Sequence, residues 1–207
     1  ADALVAEPSA QPELHFVLQA VHGAATFDLG DRATGLAELQ RARSEFGDNH
    51  AGPEHSAAMA MLEYRAAVLL GHPTAARTVL GWLDERTGDN AELVMMRAWA
   101  ETAGGRHEHA RTMIRAVLDG SAPALLPHTV VEGWLLETSI AASAGERPAA
   151  RHALQSALAL AEPLGALRPF TQAHPNVREL LVHQHGSFGA CHEFADQALA
   201  AGAGHQG

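Results

Sequence analysis

The sequence contains no lysine, so all 14 of its basic residues are arginines, against 24 acidic residues and a formal net charge of -10. A Walker-type phosphate-binding loop and a Schiff-base enzyme both require a lysine, and the composition excludes both. The acidic balance also argues against direct binding of this chain to the phosphate backbone of DNA. We therefore expect neither nucleotide hydrolysis through a P-loop nor DNA binding from this chain itself.

Cysteine is nearly absent as well, because Cys191 is the single one in 207 residues. One cysteine cannot build an internal disulfide framework. A protein without such a framework is typical of a reducing compartment. No apolar run approaches the roughly 20 residues that span a bilayer, and no basic start followed by an apolar stretch indicates a signal peptide. The sequence therefore predicts a folded cytoplasmic protein that does not contact a membrane.

Alternating strand patterns and Asn-Gly hairpins are missing too, and helical periodicity takes their place. Four glycines lie 41, 34 and 40 residues apart, within the period of helical-hairpin repeats: Gly30, Gly71, Gly105 and Gly145. Helical segments precede them, "ELHFVLQAVHGAATFDL", "EHSAAMAMLEYRAAVLL", "AELVMMRAWAETAG" and "TVVEGWLLETSIAASA". Second helical segments follow them, "RATGLAELQRARSEF", "PTAARTVLGWLDERT", "RHEHARTMIRAVL" and "RPAARHALQSALALA". Each glycine is predicted to supply the left-handed turn between two helices.

A common spacing follows every one of these glycines. Small residues stand at +5, namely Gly35, Ala76, Ala110 and Ala150. Larger apolar residues stand at +9, namely Leu39, Leu80, Ile114 and Leu154. Apolar or small residues stand at +12, namely Ala42, Leu83, Val117 and Ala157. The small residue at +5 is predicted to let the two helices cross closely, and the larger residue at +9 to fill the space between them. The residue at +12 is predicted to contact the next helix pair. The predicted fold is an all-α, tetratricopeptide-like solenoid of four antiparallel helix pairs.

The domain organisation predicted from this pattern has four parts. Residues 1–12 form a linker, 13–170 the repeat domain, 171–199 a C-terminal capping helical segment and connector, and 200–207 a tail. A fifth, degenerate spacing starts at Gly186 and supports the capping helices; it reaches Cys191, Ala195 and Ala198.

The tripeptide Arg168-Pro169-Phe170 is expected to close the repeat region. Proline ends the preceding helix and biases Arg168 to an extended conformation, while Phe170 covers the end of the stack. A contact with a further module is the alternative interpretation of the same tripeptide.

The stretch "ALALAEPLGALRPF", residues 157–170, resembles the end of the helical-repeat region in large LuxR-type transcriptional regulators of the maltose-regulator-like group. There a repeat helix closes with Leu-Ala-Glu-Pro-x-Gly and then Arg-Pro-Phe. The following "HPNVRELLVHQHGSFG" is similar to the connector before that family's DNA-binding domain. The resemblance implies a sensor region that binds a small-molecule inducer or a regulatory protein. It would transmit this binding event to flanking switch and DNA-binding modules. Since neither module is present, DNA would be bound through a missing C-terminal module.

An ionisable residue stands eight positions before each corner glycine: His22, Glu63, Arg97 and Glu137. This column lies at one structural position of the first helices, where generic repeats prefer apolar or small residues. It can form an ion-pair ladder between repeats, with Arg97 bridging Glu63 and Glu137. It can instead line a concave groove for a ligand, or it can be coincidence.

Aromatic side chains on first helices extend the candidate ligand site. Trp99, Trp134 and Tyr64 can line a small-molecule pocket together with the charged column, or they can fill the core. The candidate groove residues are therefore Glu63, Arg97, Glu137, Trp99, Trp134 and Tyr64.

Metal binding and catalysis find no support in the sequence pattern. His107 and His109, like His183 and His185, are two residues apart, whereas helical zinc pairs stand three or four apart, and His192 has no evident partner. Cys191 and His192 are adjacent and do not face each other on a helix. We expect surface histidines, no metal, no cofactor, no catalytic residues and no enzymatic activity.

The leading hypothesis is a sensory domain of a LuxR-type regulator that binds an inducer or a protein partner and shifts a conformational equilibrium. The rival hypothesis is a general protein–protein interaction scaffold with a peptide-binding groove. Self-association through an exposed helical face is compatible with either.

Overall fold

The computed structural model describes residues 12–50 and 52–203. Within these ranges the chain is helical and contains no β-strand, so the predicted all-α class is confirmed. The chain divides into two compact units, Ala1–Arg86 and Thr87–Gly207. None of the described helices is both long enough and apolar enough to cross a membrane.

The first unit contains four described helices, and proline is the first residue of three of them. The helices are α1 (Pro12–Asp28), α2 (Arg32–His50), α3 (Pro53–Leu69) and α4 (Pro73–Thr87), the last ending one residue beyond the unit boundary. Proline suits a first helical position because its missing N–H would have no partner there. The helix predicted for residues 73–87 has these same bounds in the structure, as α4.

The second unit contains the remaining helices, and its first helix is capped by Asn90. The Asn90 side chain accepts a hydrogen bond from the Leu93 N–H at 2.9 Å. The helices are α5 (Ala91–Ala103), α6 (His107–Leu118), α7 (Thr129–Ser143), α8 (Arg147–Ala161), α9 (Arg168–Thr171), α10 (Pro175–His183) and α11 (His192–Ala203). Short 3-10 turns lie at Glu162–Leu164 and Gly189–Cys191.

All four predicted corner glycines have a positive φ, and each lies between two helices. The angles are 106° at Gly30, 67° at Gly71, 75° at Gly105 and 76° at Gly145. At the second corner the His72 N–H donates to the Ala67 carbonyl at 2.8 Å, which closes the helix end in a Schellman motif. The same pattern of hydrogen bonds recurs at the third and fourth corners. The corner prediction is confirmed.

The spacing after each corner is confirmed at +5 and +12 and needs one correction at +9. Helices α1 and α2, α5 and α6, and α7 and α8 pack against each other in pairs. The residues at +5 and +12 are buried in each second helix. Leu80, however, is only half-buried, and its neighbour Val79 is fully buried instead. The buried face of α4 therefore contains Val79 in place of Leu80, between Ala76 and Leu83.

Gly35 lies at a close crossing of the first helix pair. A Cβ there would lie 2.5 Å from the Phe27 backbone nitrogen and 2.7 Å from the Gly23 carbonyl oxygen. Gly35→Ala is therefore expected to destabilise the chain by about 1–3 kcal/mol, because backbone atoms must move apart. Gly81→Ala, on α4, is the matched control, since a Cβ there meets no atom within 4 Å. It should stabilise the chain by about 0.5–1 kcal/mol in urea unfolding. Equal effects of the two changes would contradict the close crossing.

The core of the second unit consists of two hydrophobic clusters that share α7. Leu136 and Ile140 of α7 pack with residues of α5 and α6 in one cluster. Val131 and Leu135 of the same helix pack with α8 and the C-terminal helices in the other. A helix that buries two faces must be apolar almost all round, which explains the many apolar residues of α7.

The C-terminal segment is helical, with α10 packed against α7 and α11, and its capping role stays a prediction. Phe170 is buried and meets the ring of Phe194 edge-on at 5.9 Å, which supports its predicted covering role. The extended conformation predicted for Arg168 is wrong, because Arg168 begins α9 with Pro169 in its first turn. Of the predicted tail, residues 200–203 belong to α11 and the rest lies outside the described residues. The predicted linker lies outside them too, except for Pro12.

Candidate functional site

Glu63 of the predicted column is fully buried on α3, and Arg43 of α2 holds its carboxylate. The Arg43 Nε lies 2.8 Å from one oxygen, and Nη2 lies 3.2 Å from the other. This two-point contact suits a planar guanidinium, which matches carboxylate geometry. Burial raises the pKa of Glu63, and Arg43 offsets part of that rise.

Glu137 has a comparable partner on the preceding helix, Arg111 of α6. The Arg111 Nε lies 3.1 Å from both carboxylate oxygens of Glu137, and Nη2 lies 2.8 Å from an oxygen of Glu146. Hydrogen bonds to Glu146 and then to Glu137 raise the pKa of Arg111. The same contact lowers the pKa of Glu146. Arg111 therefore joins α7 to the corner that follows it.

The two carboxylates of the column thus each have an arginine from a neighbouring second helix of the same unit. His22 follows a related pattern, with its Nδ1 2.9 Å from a carboxylate oxygen of Glu38 on α2. Arg97 is half-buried on α5. Since both glutamates have compensating cations, neither depends on Arg97 for charge balance, and the bridge by Arg97 stays a prediction.

Sequence analysis missed Arg43 and Arg111, although a signal for both was present. Arg43 directly follows Ala42, a fully buried +12 residue, and Arg111 directly follows Ala110, a fully buried +5 residue. An arginine beside a buried position lies at the edge of a helix interface, within reach of a carboxylate on the facing helix.

The three predicted aromatic residues pack mainly as core components. Tyr64 is buried, while Trp99 and Trp134 are half-buried and pack against the two hydrophobic clusters of the second unit. Trp134 also meets the ring of His152 edge-on at 5.9 Å. Trp134 and Glu137 share α7, and Trp99 and Arg97 share α5. The core-filling alternative therefore describes their packing.

A cleft of about 700 Å³ lies beside the Gly105 corner. It is lined by residues 105–109 and by Ile140, Ser143 and Ala144 of α7, so none of the six predicted groove residues contributes to it. Its rim carries Arg106 and His109, which both bind the carboxylate of Glu101; the Arg106 Nη2 contact is 2.9 Å and the His109 contact 2.8 Å. The hydrogen bond from Arg106, and to a smaller extent that from His109, lowers the pKa of Glu101 to about 2. The residues that line the cleft therefore include charges of both signs, at Arg106 and Glu108.

A second cleft, of about 280 Å³, lies where α8 ends. It is lined by Glu162, Gly165, Leu167, Glu193, Phe194 and Gln197. Cys191 lies nearby, and burial together with Glu162 raises the pKa of its thiol. A nucleophilic cysteine needs the opposite shift, so the chemistry of this region does not favour covalent catalysis.

Glu92 is a buried carboxylate that sequence analysis did not single out. It accepts hydrogen bonds from the Leu126 N–H at 2.9 Å, from the Leu125 N–H at 3.1 Å and from the Thr129 hydroxyl at 2.6 Å. Together these contacts hold the connection between α6 and α7 against the first turn of α5. Acidic residues are common in the first turn of a helix because they interact favourably with the helix dipole, so no sequence pattern indicates this role of Glu92.

The histidine interpretation needs one correction, because His192 has partners. His185 Nε2 lies 2.9 Å from Oδ1 of Asp196, and His192 Nε2 lies 3.7 Å from Oδ2 of the same residue. The two imidazole rings meet edge-on at 5.0 Å. The side chains remain substantially exposed, in agreement with the expectation of surface histidines.

The fold and these contacts define an all-α chain of helix pairs joined by positive-φ glycine corners. No known protein family, characterised protein or solved structure matches the chain.

Proposed function

We propose that this chain is a binding domain whose four helix pairs are tetratricopeptide-like repeats of a solenoid, closed by the capping segment 171–199. The observation that carries the proposal is the recurrence of one corner: a positive-φ glycine followed by buried residues at +5 and +12. A single helix pair cannot bury both faces, so pairs of this kind stack and present an extended surface. The sharing of α7 between two clusters agrees with such stacking.

The domain acts, in this proposal, as the sensory region of a LuxR-type transcriptional regulator in the cytoplasm. The segment 157–170 supports this assignment through its resemblance to the end of that family's repeat region. It forms the end of α8, a 3-10 turn and a left-handed Gly165 with φ 59°. The domain binds a small-molecule inducer or a regulatory protein, performs no catalytic step, and passes the event to switch and DNA-binding modules outside this chain.

The second candidate is a protein–protein interaction scaffold that binds a peptide. The open cleft beside Gly105 favours it, because its rim is charged and its lining contains no Trp or Tyr. An open cleft of this kind can take an extended peptide, and its charged residues can contact the polar groups of that peptide.

A ligand screen by thermal shift separates the two candidates. A metabolite that binds the native state raises the melting temperature by mass action. For a sensor using the charged column, Arg97→Met should abolish that rise with little effect on the ligand-free melting temperature. Arg115→Met, at an exposed position of α6, should leave the rise unchanged.

A peptide library provides the opposing arm of this experiment. A peptide whose affinity falls with His107→Ala, at the cleft rim, but not with Arg97→Met identifies the scaffold and contradicts the sensor. Metabolite binding that survives Arg97→Met also contradicts the assignment of the charged column to the ligand.

A further inference from the structure

We propose that His185, His192 and Asp196 form a binding site for a divalent transition-metal ion. The three side chains each offer one ligand atom, and these atoms all lie within 4.8 Å of one another. The site lies in the capping segment and is independent of the proposed sensory function.

The chain brings these residues together in two ways. His192 and Asp196 stand four residues apart at the start of α11, so they share one face of the helix. His185 comes from the preceding loop, which reverses direction at Gly186 with φ 84° and at Gly189 with φ 55°. Left-handed conformations are accessible to glycine without strain, and the loop can therefore return His185 to the helix face.

The two histidines contact Asp196 at different distances, and only the 2.9 Å contact of His185 Nε2 is a hydrogen-bond distance. The 3.7 Å between His192 Nε2 and Asp196 Oδ2 is too long for a hydrogen bond. Ligands that bind one zinc ion at about 2.0–2.1 Å in tetrahedral geometry stand about 3.3 Å apart. An ion between the three side chains would draw Nε2 of His192 and Oδ2 of Asp196 to such a separation.

The donor set indicates which ion it would hold. Two imidazoles and one carboxylate suit zinc, copper, nickel or iron, whereas calcium and magnesium prefer oxygen ligands. The side chains of His185, His192 and Asp196 are 58%, 44% and 46% exposed. A fourth coordination position would therefore face solvent and take a water molecule or a group from a binding partner.

Titration of the full chain with zinc tests the site. The chain, free of any histidine tag and stripped of metal with EDTA, is titrated calorimetrically with zinc sulfate. We expect one ion per chain, with affinity lowered about tenfold or more by His185→Ala, His192→Ala and Asp196→Asn, given that even indirect changes around metal ligands cost 10–100-fold. Cobalt(II) should show the visible absorption of a tetrahedral site in the native chain and lose it in the three variants.

His183→Ala is the matched control, because His183 is exposed, lies two residues from His185 and has its Nδ1 2.6 Å from the Glu179 carbonyl oxygen. This variant should bind zinc like the native chain. Far-UV circular dichroism of the metal-free variants establishes that each one folds. Zinc binding that none of the three substitutions weakens, or the lack of saturable binding to the native chain, would overturn the proposal.

Discussion

Arg43→Met is expected to lower the free energy of unfolding by about 3–5 kcal/mol, because it leaves the carboxylate of Glu63 buried without its cation. Glu63 has no exposed surface. The guanidinium of Arg43 donates one hydrogen bond to each of its two carboxylate oxygens. Methionine keeps the length of the side chain, so the loss measures the missing charge and donors more than lost packing. Urea unfolding followed by circular dichroism measures the change.

Two further variants make this prediction specific. Arg41→Met, on the same helix, removes an arginine whose side chain is 61% exposed and 4.0 Å from Glu45. It should change stability by no more than about 0.5 kcal/mol. Glu63→Gln in the Arg43→Met background should recover part of the loss, because the buried charge disappears. If Arg43→Met and Arg41→Met have equal effects, the buried pair does not stabilise the first unit.

The same pair predicts a pH dependence. Burial raises the pKa of Glu63 above its ordinary 4.5, so the folded state holds this proton more tightly than the unfolded state. Glu63 therefore contributes stability below pH 4.5 that is lost as the pH rises through its raised pKa. Arg43→Met should raise that pKa further, and its deficit should shrink on acidification. A deficit that is constant with pH would contradict this account.

Glu92→Ala is expected to lower the free energy of unfolding by about 3–5 kcal/mol as well. The change removes the acceptor for the N–H groups of Leu125 and Leu126 and for the hydroxyl of Thr129. Each buried donor left without a partner costs about 1–3 kcal/mol. The connection between α6 and α7 should also lose protection, which amide hydrogen exchange measures at Leu125 and Leu126.

Glu54 provides a matched control for Glu92, because each is the second residue of its helix. Glu54 is exposed on α3, so Glu54→Ala removes only a favourable interaction with the helix dipole, worth about 0.3–1 kcal/mol. Glu92→Gln should fall between the two alanine variants, since its one amide oxygen still accepts. Equal effects of Glu54→Ala and Glu92→Ala would show that the buried hydrogen bonds do not fix the connection.

Helix ends were the most predictable part of this molecule. The segments 73–87 and 147–161 begin and end as the sequence predicts, since a first-turn proline and a corner glycine mark helix ends locally. Arg168 is the exception: proline biases its preceding residue away from the helix, yet Arg168 starts one. Phe170 is buried against Phe194, and this packing outweighs the weak local preference.

The ionisable column shows where prediction from spacing stops. Its repeated position eight residues before each corner glycine predicts charged side chains at one place on the first helices, and Glu63 is buried there. The spacing could not name Arg43 as the partner, because the rotation of α2 against α3 decides which side chain meets Glu63. The predicted groove function of Glu63, Arg97 and Glu137 stays a prediction.

The sequence by itself determined the helices, their glycine corners and the residues buried at +5 and +12 after each corner. These features depend on backbone preferences and on a period of 3.6 residues, which act within one turn of helix. Only the tertiary structure decided the partners of Glu63, Glu92 and Glu137, and the approach of His185 to His192. Those glutamate contacts join residues 20 to 37 positions apart, so they depend on how helices cross and how loops return. No short-range pattern specifies such a crossing, since many side chains of suitable charge lie on each helix and packing selects among them.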